Sequence, residues 1–165
     1  MKKLYIDFDG VILDTISPSY KKLQELGIST KDYNKCHEFY KSLNWNAFIK
    51  KSEQINNSIK NIQKLIDSKL FEISILTHVL SINEATAKIK YIKSKINNLT
   101  VILVPKELNK TDIVDSKDAI LIDDFDGNLI EWEKQGGIGI CFSTKLAGKG
   151  FKVIDSLDQI LDIVT

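Results

Sequence analysis

The residues of this 165-residue chain best suited to chemistry are carboxylates that come in pairs. The run Leu4-Tyr5-Ile6-Asp7-Phe8-Asp9-Gly10-Val11 sets two aspartates two positions apart at the end of an apolar stretch. On a strand, residues two apart share a face, so Asp7 and Asp9 would project the same way. Gly10 would then allow a sharp turn that a side chain would obstruct. A second pair, Asp123-Asp124, ends the run Ala119-Ile120-Leu121-Ile122, with Asn128 close behind. Like charges this close repel unless a cation, a proton or a reaction offsets them. Mg²⁺, which prefers a few carboxylate oxygens, waters and a ligand phosphate, would account for both pairs. Taken alone, the first pair also reads as a strand followed by an acidic Asp-Gly turn. Two further groups stand at corresponding places: Thr77, followed by His78, and Lys110, which competes with Lys106 and Lys117 for one role.

Composition narrows what those groups can meet. With 43% hydrophobic and 27% charged residues the chain reads as an ordinary soluble globular protein of one domain. A formal net charge of +1 gives no reason to expect a nucleic acid polymer or an acidic membrane as partner. All 23 basic residues are lysine. Bidentate guanidinium clamps are therefore absent, and an anion must be held by lysine and backbone N–H groups. Two distant cysteines, Cys36 and Cys141, form no metal-ligand pattern, and a reducing cytoplasm is the expected setting. Neither a signal peptide nor a membrane-spanning run is expected.

The elements that must position these groups can be read from periodicity. Five β-rich runs are expected at Leu4–Asp9, Ile73–Thr77, Thr100–Val104, Ala119–Asp124 and Ile138–Phe142, most of them apolar throughout, as buried parallel strands are. Ser81 and Glu84 form a capping box for a helix with Ile82, Ala85, Ile89, Ile92 and Ile96 on one face. A further helix over Gly127–Gln135 should stop at Gly136-Gly137, and a terminal helix from Ser156 should turn Leu157, Ile160, Leu161 and Val164 inward. Asp14 is expected to cap the helix that follows it. Alternating strands and helices predict a doubly wound, mostly parallel Rossmann-like α/β sheet. Residues 15–72 are too long for one crossover and read as an inserted helical cap, so the core domain is expected over 1–14 and 73–165.

In such sheets ligands bind beyond the C-terminal strand ends, where all these groups would gather. The ordered set of Asp7-Phe8-Asp9-Gly10-Val11, Thr77, Lys110 and Asp123-Asp124 resembles the haloacid dehalogenase (HAD) superfamily of phosphotransferases, over nearly the whole chain. The insertion after the first motif is similar to that family's small helical C1 cap. The resemblance implies that Asp7 is a nucleophile forming an aspartyl-phosphate, and that Asp9 is general acid and then general base, with its backbone carbonyl on Mg²⁺. It implies that Thr77 and the next N–H hold the phosphoryl group, and that Lys110 neutralises charge and orients Asp7. Asp7, Asp9 and Asp124 would be metal ligands, with Asp123 and Asn128 around them fixing waters and the lysine.

Within the superfamily the chain looks most like compact 5'-nucleotidases of the 5'(3')-deoxyribonucleotidase type, on the strength of the modest cap and of Ile122–Trp132 followed by two glycines. Trp45, in Asn44-Trp45-Asn46, would offer a ring to a nucleobase, while Phe39 and Phe48 read as the cap's own core. Gly10, Thr77, His78 and Trp45 are thus the expected substrate contacts, although His78 equally reads as a residue covering a loop. Where nucleotidases carry a small polar residue and a proline after the threonine, His78 and Val79 stand here, so a sugar phosphate or another small monoester remains an alternative substrate. The expected enzyme is monomeric or homodimeric. A receiver-like phospho-acceptor or a non-catalytic binding module would share the acidic pocket. A receiver, however, carries its acceptor aspartate after a middle strand, and Ile73–Thr77 offers none.

Overall fold

A computed structural model describes residues 1–145 and 150–164. Its sheet has six strands: β1 (Lys2–Ile6), β2 (Phe71–Val79), β3 (Thr100–Pro105), β4 (Ile120–Asp123), β5 (Ile138–Phe142) and β6 (Lys152–Ile154). Their order is β3-β2-β1-β4-β5-β6, every pairing is parallel, and β1 lies inside with β2 on one side and β4 on the other. The expected doubly wound α/β class is therefore the observed one. β6 was not foreseen, because three residues of Lys-Val-Ile carry too little pattern to register as a strand.

The strands are apolar on both faces because both faces are covered. Leu4, Ile6, Ile75, Ile120 and Ile122 join one cluster, while Tyr5, Leu76 and Leu121 join another on the opposite side. The first side is closed by α4 (Ser58–Asp67) through Ile62 and Leu65, by α5 (Ile82–Lys95) through Ala87 and Ile92, and by Ile160 of α7 (Ile160–Val164). The second is closed by Leu129 and Trp132 of α6 (Asp126–Lys134), where the Trp132 indole N–H donates to the Ala119 carbonyl at 3.0 Å.

Three helices, α1 (Ile16–Glu25), α2 (Tyr33–Ser42) and α3 (Trp45–Lys51), lie between β1 and α4. The segment 15–72 is thus divided. α4 is the crossover helix between β1 and β2 and is tied to the core by Ser58 Oγ, which donates to the Ile12 carbonyl at 2.7 Å, and by Asn61 at Ser156. α3 packs on α5, and Trp45, Phe48 and Ile49 continue the main core cluster.

Several local expectations need correction. β1 ends at Ile6 rather than Asp9, because the N–H groups of Ile12 and Leu13 fold back onto the Phe8 carbonyl and turn the chain. Asp7 and Asp9 consequently sit on a loop and not on one strand face. Asp14 does not cap α1; Thr15 occupies that position, and no side chain caps the helix. The inward face of α5 is Glu84, Ala87, Lys88 and Ile92, whereas Ile82 is 85% exposed. The Ser81–Glu84 pair is only half a capping box: Ser81 Oγ accepts from the Glu84 N–H, but the Glu84 carboxylate accepts from the Leu80 N–H instead. The terminal segment opens with a 3₁₀ turn (Leu157–Gln159) before α7, and Val164 faces solvent. Among the described residues no helix is long and apolar enough to cross a membrane.

Candidate active site

In this strand order successive strands are added on one side of β1 up to β3 and on its other side from β4 onward, and the crevice at the C-terminal ends of β1 and β4 is where a ligand is expected. Asp7 follows β1 and its N–H donates to the Ile122 carbonyl of β4 at 2.9 Å. Asp123 closes β4 and Asp124 follows it. The loop after Asp9 turns through Gly10, whose φ of +74° is a left-handed conformation that glycine adopts without strain. A methyl group built at Gly10 would overlap Asp124 Oδ2, so the glycine also makes room for that carboxylate.

Lys110 reaches this crevice from a 3₁₀ turn (Lys110–Asp112) after β3. The turn is locked by Asp112, whose carboxylate accepts from the Asn109 N–H at 2.7 Å and whose own N–H donates to the Asn109 carbonyl at 3.0 Å. Nζ of Lys110 lies 2.8 Å from Asp7 Oδ1 and 2.6 Å from Asp123 Oδ2, with the side chain buried. Asp123 is fully engaged, accepting also from Asn128 Nδ2 and from the Phe125 N–H, both at 2.9 Å. Lys106, the competing lysine, is exposed. His78 Nε2 sits 2.8 Å from the Leu108 carbonyl, so the side chain pins the loop that carries Lys110. Burial, aided by Lys110 and Lys106 and opposed by that bond, lowers the pKa of His78.

Carboxylate oxygens of Asp7, Asp123 and Asp124 all lie within 4.8 Å of one another. The charges are not balanced, and the pKa values register it. Asp7 is raised to about 7 by burial and then by Asp123, against the pull of Lys110. Asp124 is raised to about 8 by loss of hydration and then by Asp7, Asp123 and Asp9. Burial disfavours the Lys110 ammonium, yet Asp123 and Asp7 prevail and its pKa is raised. Oxygen donors this close, with more negative charge than one lysine offsets, suit a hard divalent cation.

A second lysine, unforeseen from sequence, meets the same loop from α5. Lys88 is 0% exposed, and its Nζ lies 2.6 Å from Asp9 Oδ2, 2.7 Å from Glu84 Oε2 and 3.0 Å from both Thr77 Oγ1 and the His78 carbonyl. Asp9 Oδ1 accepts from the Thr15 hydroxyl at 2.7 Å. Burial works against the Lys88 charge, but Asp9 and Glu84 outweigh it and raise its pKa. The signal for this residue was its helical phase: Lys88 lies four and eight positions before Ile92 and Ile96, both buried.

Trp45 is placed differently from the expectation of a substrate-facing ring. It is 4% exposed, donates its indole N–H to the Tyr40 carbonyl at 2.9 Å, and packs edge-on against Phe48. Lys88 Nζ lies 5.5 Å from its ring centroid. Its faces are occupied by protein, and no surface remains for a nucleobase to stack on.

No protein-family model matches the chain, and no curated protein matches it. Solved structures do. A HAD phosphatase from Thermococcus onnurineus superposes with a TM-score of 0.67 at 15% identity, over 99% of this chain and 98% of that one. A HAD-superfamily hydrolase of subfamily IA from Geobacter sulfurreducens gives 0.65 at 12% identity, over 99% and 100%. D,D-heptose 1,7-bisphosphate phosphatase from Burkholderia thailandensis gives 0.59 at 14% identity, over 100% and 99%. At such identities the likeness speaks for architecture alone. The parallel sheet, its order and these full-length matches give this chain the α/β fold of the HAD-superfamily hydrolases.

Proposed function

We propose that this protein is a Mg²⁺-dependent phosphomonoester hydrolase that works through an aspartyl-phosphate on Asp7. The observation that carries the proposal is the buried Lys110 bridge between Asp7 and Asp123, with Asp124 alongside, at the β1/β4 switch point. A lysine that orients one carboxylate while three crowd together suits a nucleophile awaiting an anion and a cation, and serves a purely structural centre poorly.

Asp7 and Asp124, with the Asp9 backbone carbonyl, would hold the cation, and Asp123 and Asn128 would fix their surroundings. Bound Mg²⁺ would supply the positive charge that lets a phosphoryl group approach these carboxylates. In the first step a carboxylate oxygen of Asp7 attacks phosphorus as the ester P–O bond breaks, and Asp9 gives its proton to the departing alkoxide. In the second, Asp9 takes a proton from water as that water attacks phosphorus, which breaks the Asp7–phosphate bond and releases phosphate. Thr77, through its hydroxyl, and the His78 N–H would hold the phosphoryl oxygens, with Lys110 offsetting their charge. Gly10 would let the loop approach the ester closely.

The substrate in this reading is a small phosphorylated metabolite. A nucleoside monophosphate remains one candidate, though without Trp45 as a stacking surface, and a sugar phosphate is the other. In this reading α1–α3 form the cap, while α4, which packs on β2, is the crossover helix of the core. With Mg²⁺, the protein should hydrolyse p-nitrophenyl phosphate, and Asp7→Asn should lower kcat by at least about a thousandfold. Turnover retained in that variant would remove Asp7 from the nucleophile's role.

A further inference from the structure

Lys88 belongs to none of the groups that Asp7 and the cation need, yet it lies fully enclosed in the molecule's acidic region. Its side chain is 0% exposed, and the rings of Phe8 and Trp45 lie 5.3 and 5.5 Å from Nζ. A structural ion pair would be complete with Glu84 alone, one turn away on the same helix. The ammonium instead gathers Asp9 from the loop after β1, and Thr77 and the His78 carbonyl from the end of β2. An ammonium has three N–H bonds and here meets four oxygens, so at least one bond is shared. Burying such a group costs stability that an apolar side chain of equal length would not.

We infer that Lys88 is a positioning residue that holds the acid–base carboxylate Asp9 and the phosphoryl-binding hydroxyl of Thr77 in fixed register, inside an aromatic enclosure completed by Trp45. The inference rests on the phosphatase reading and assigns this helix lysine a task within it. Two consequences follow from the bonding. With Lys88 on Asp9 Oδ2, the transferable proton belongs on Oδ1, whose partner Thr15 is a hydroxyl able to turn from donor to acceptor. With Lys88 donating to Thr77 Oγ1, that hydroxyl's own hydrogen, held only by a long 3.4 Å contact to the His78 carbonyl, can turn to a phosphoryl oxygen. The lysine itself neither gives nor takes a proton. It sets the line along which Asp9 delivers its proton to the alkoxide as the P–O bond opens. Because Trp45 comes from α3, the cap encloses this lysine directly.

The test compares kcat/KM for p-nitrophenyl phosphate, whose leaving group departs without a proton, and phenyl phosphate, whose leaving group needs one. Lys88→Met should lower kcat/KM about tenfold more on phenyl phosphate than on p-nitrophenyl phosphate, a fraction of what general acid catalysis supplies. Glu84→Gln, which keeps the lysine and loosens its anchor, should bias the two esters the same way but more weakly. It decides the matter if Lys88→Met fails to fold. Equal losses on both esters in the folded variant would overturn the inference while leaving the phosphatase intact. A wild type that hydrolyses neither ester would overturn the phosphatase reading and this inference together.

Discussion

Lys110 and Lys88 are both buried, and both hold an aspartate of the first acidic loop, but the carboxylates around them are differently matched. Lys110 offsets Asp7 and Asp123 while Asp124 crowds the same space, and the excess shows in raised pKa values at Asp7 and Asp124. Lys88 is saturated by Asp9, Glu84, Thr77 and a carbonyl, and aromatic rings enclose it. In the first cluster three carboxylates share one lysine, which leaves room in charge for a cation; in the second two carboxylates share one lysine, whose N–H bonds are all taken. The difference teaches that burial of a lysine does not fix its task. What decides is whether its partners leave charge unsatisfied where a ligand can reach it.

Removing the lysine from the unbalanced side should have the largest effect. Lys110→Met strands two carboxylates, and we expect kcat to fall about 10²–10³-fold and stability to fall by about 3–5 kcal/mol, read by steady-state kinetics and chemical denaturation. A variant close to wild type in both would make the two clusters equivalent and break the contrast.

The next effect is pH-dependent. Asp7 near 7 and Asp124 near 8 both lie above the ordinary value of 3.8, so their protonated forms favour the folded state. Without a divalent cation, their contribution to stability is complete below about pH 4 and is lost as pH rises through 7 and 8. Mg²⁺ binds the ionised carboxylates, so it should raise Tm at pH 8 and do little at pH 5. At a hundred times its dissociation constant the gain is about 2.7 kcal/mol, or about 5–10 °C for a domain of this size. An equal Mg²⁺ effect at both pH values would show that the crowded carboxylates are not its ligands.

Gly10→Ala should be milder. It places a side chain at a φ of +74° and against Asp124 Oδ2. We expect a loss of about 1–2 kcal/mol in thermal denaturation, with a weaker Mg²⁺ response. His78→Ala, which frees the Leu108 carbonyl and the loop bearing Lys110, should cost only about 1 kcal/mol.

The same two clusters divide what the sequence made legible from what it did not. Asp7, Asp9, Gly10, Thr77, Lys110 and Asp123-Asp124 could be picked out because each adjoins a strand end, and strand ends converge by topology. The strands were legible because parallel strands buried on both faces are apolar throughout, as Ile120-Leu121-Ile122 and Ile138–Phe142 are. Lys88 was missed because Glu84 and Lys88, four apart on a helix rich in lysine, resemble an exposed ion pair. The apolar face assigned to α5 included Ile82, which the structure exposes, since the buried stripe is set by Ile92 and Ile96 with Lys88 in line. Trp45 was misjudged for the converse reason: its neighbours Asn44 and Asn46 are polar, but Asn44 is a helix cap and the ring turns inward. Local polarity does not report direction on a seven-residue helix.

The central claim is that Asp7 is phosphorylated in the course of turnover, and trapping that species tests it most directly. Asp9→Asn should still accept a phosphoryl group from p-nitrophenyl phosphate but lose it slowly. After acid quench, mass spectrometry should find one phosphoryl group on the peptide containing Asp7. A wild type that turns over while neither it nor the variant ever carries phosphate at Asp7 would contradict the account.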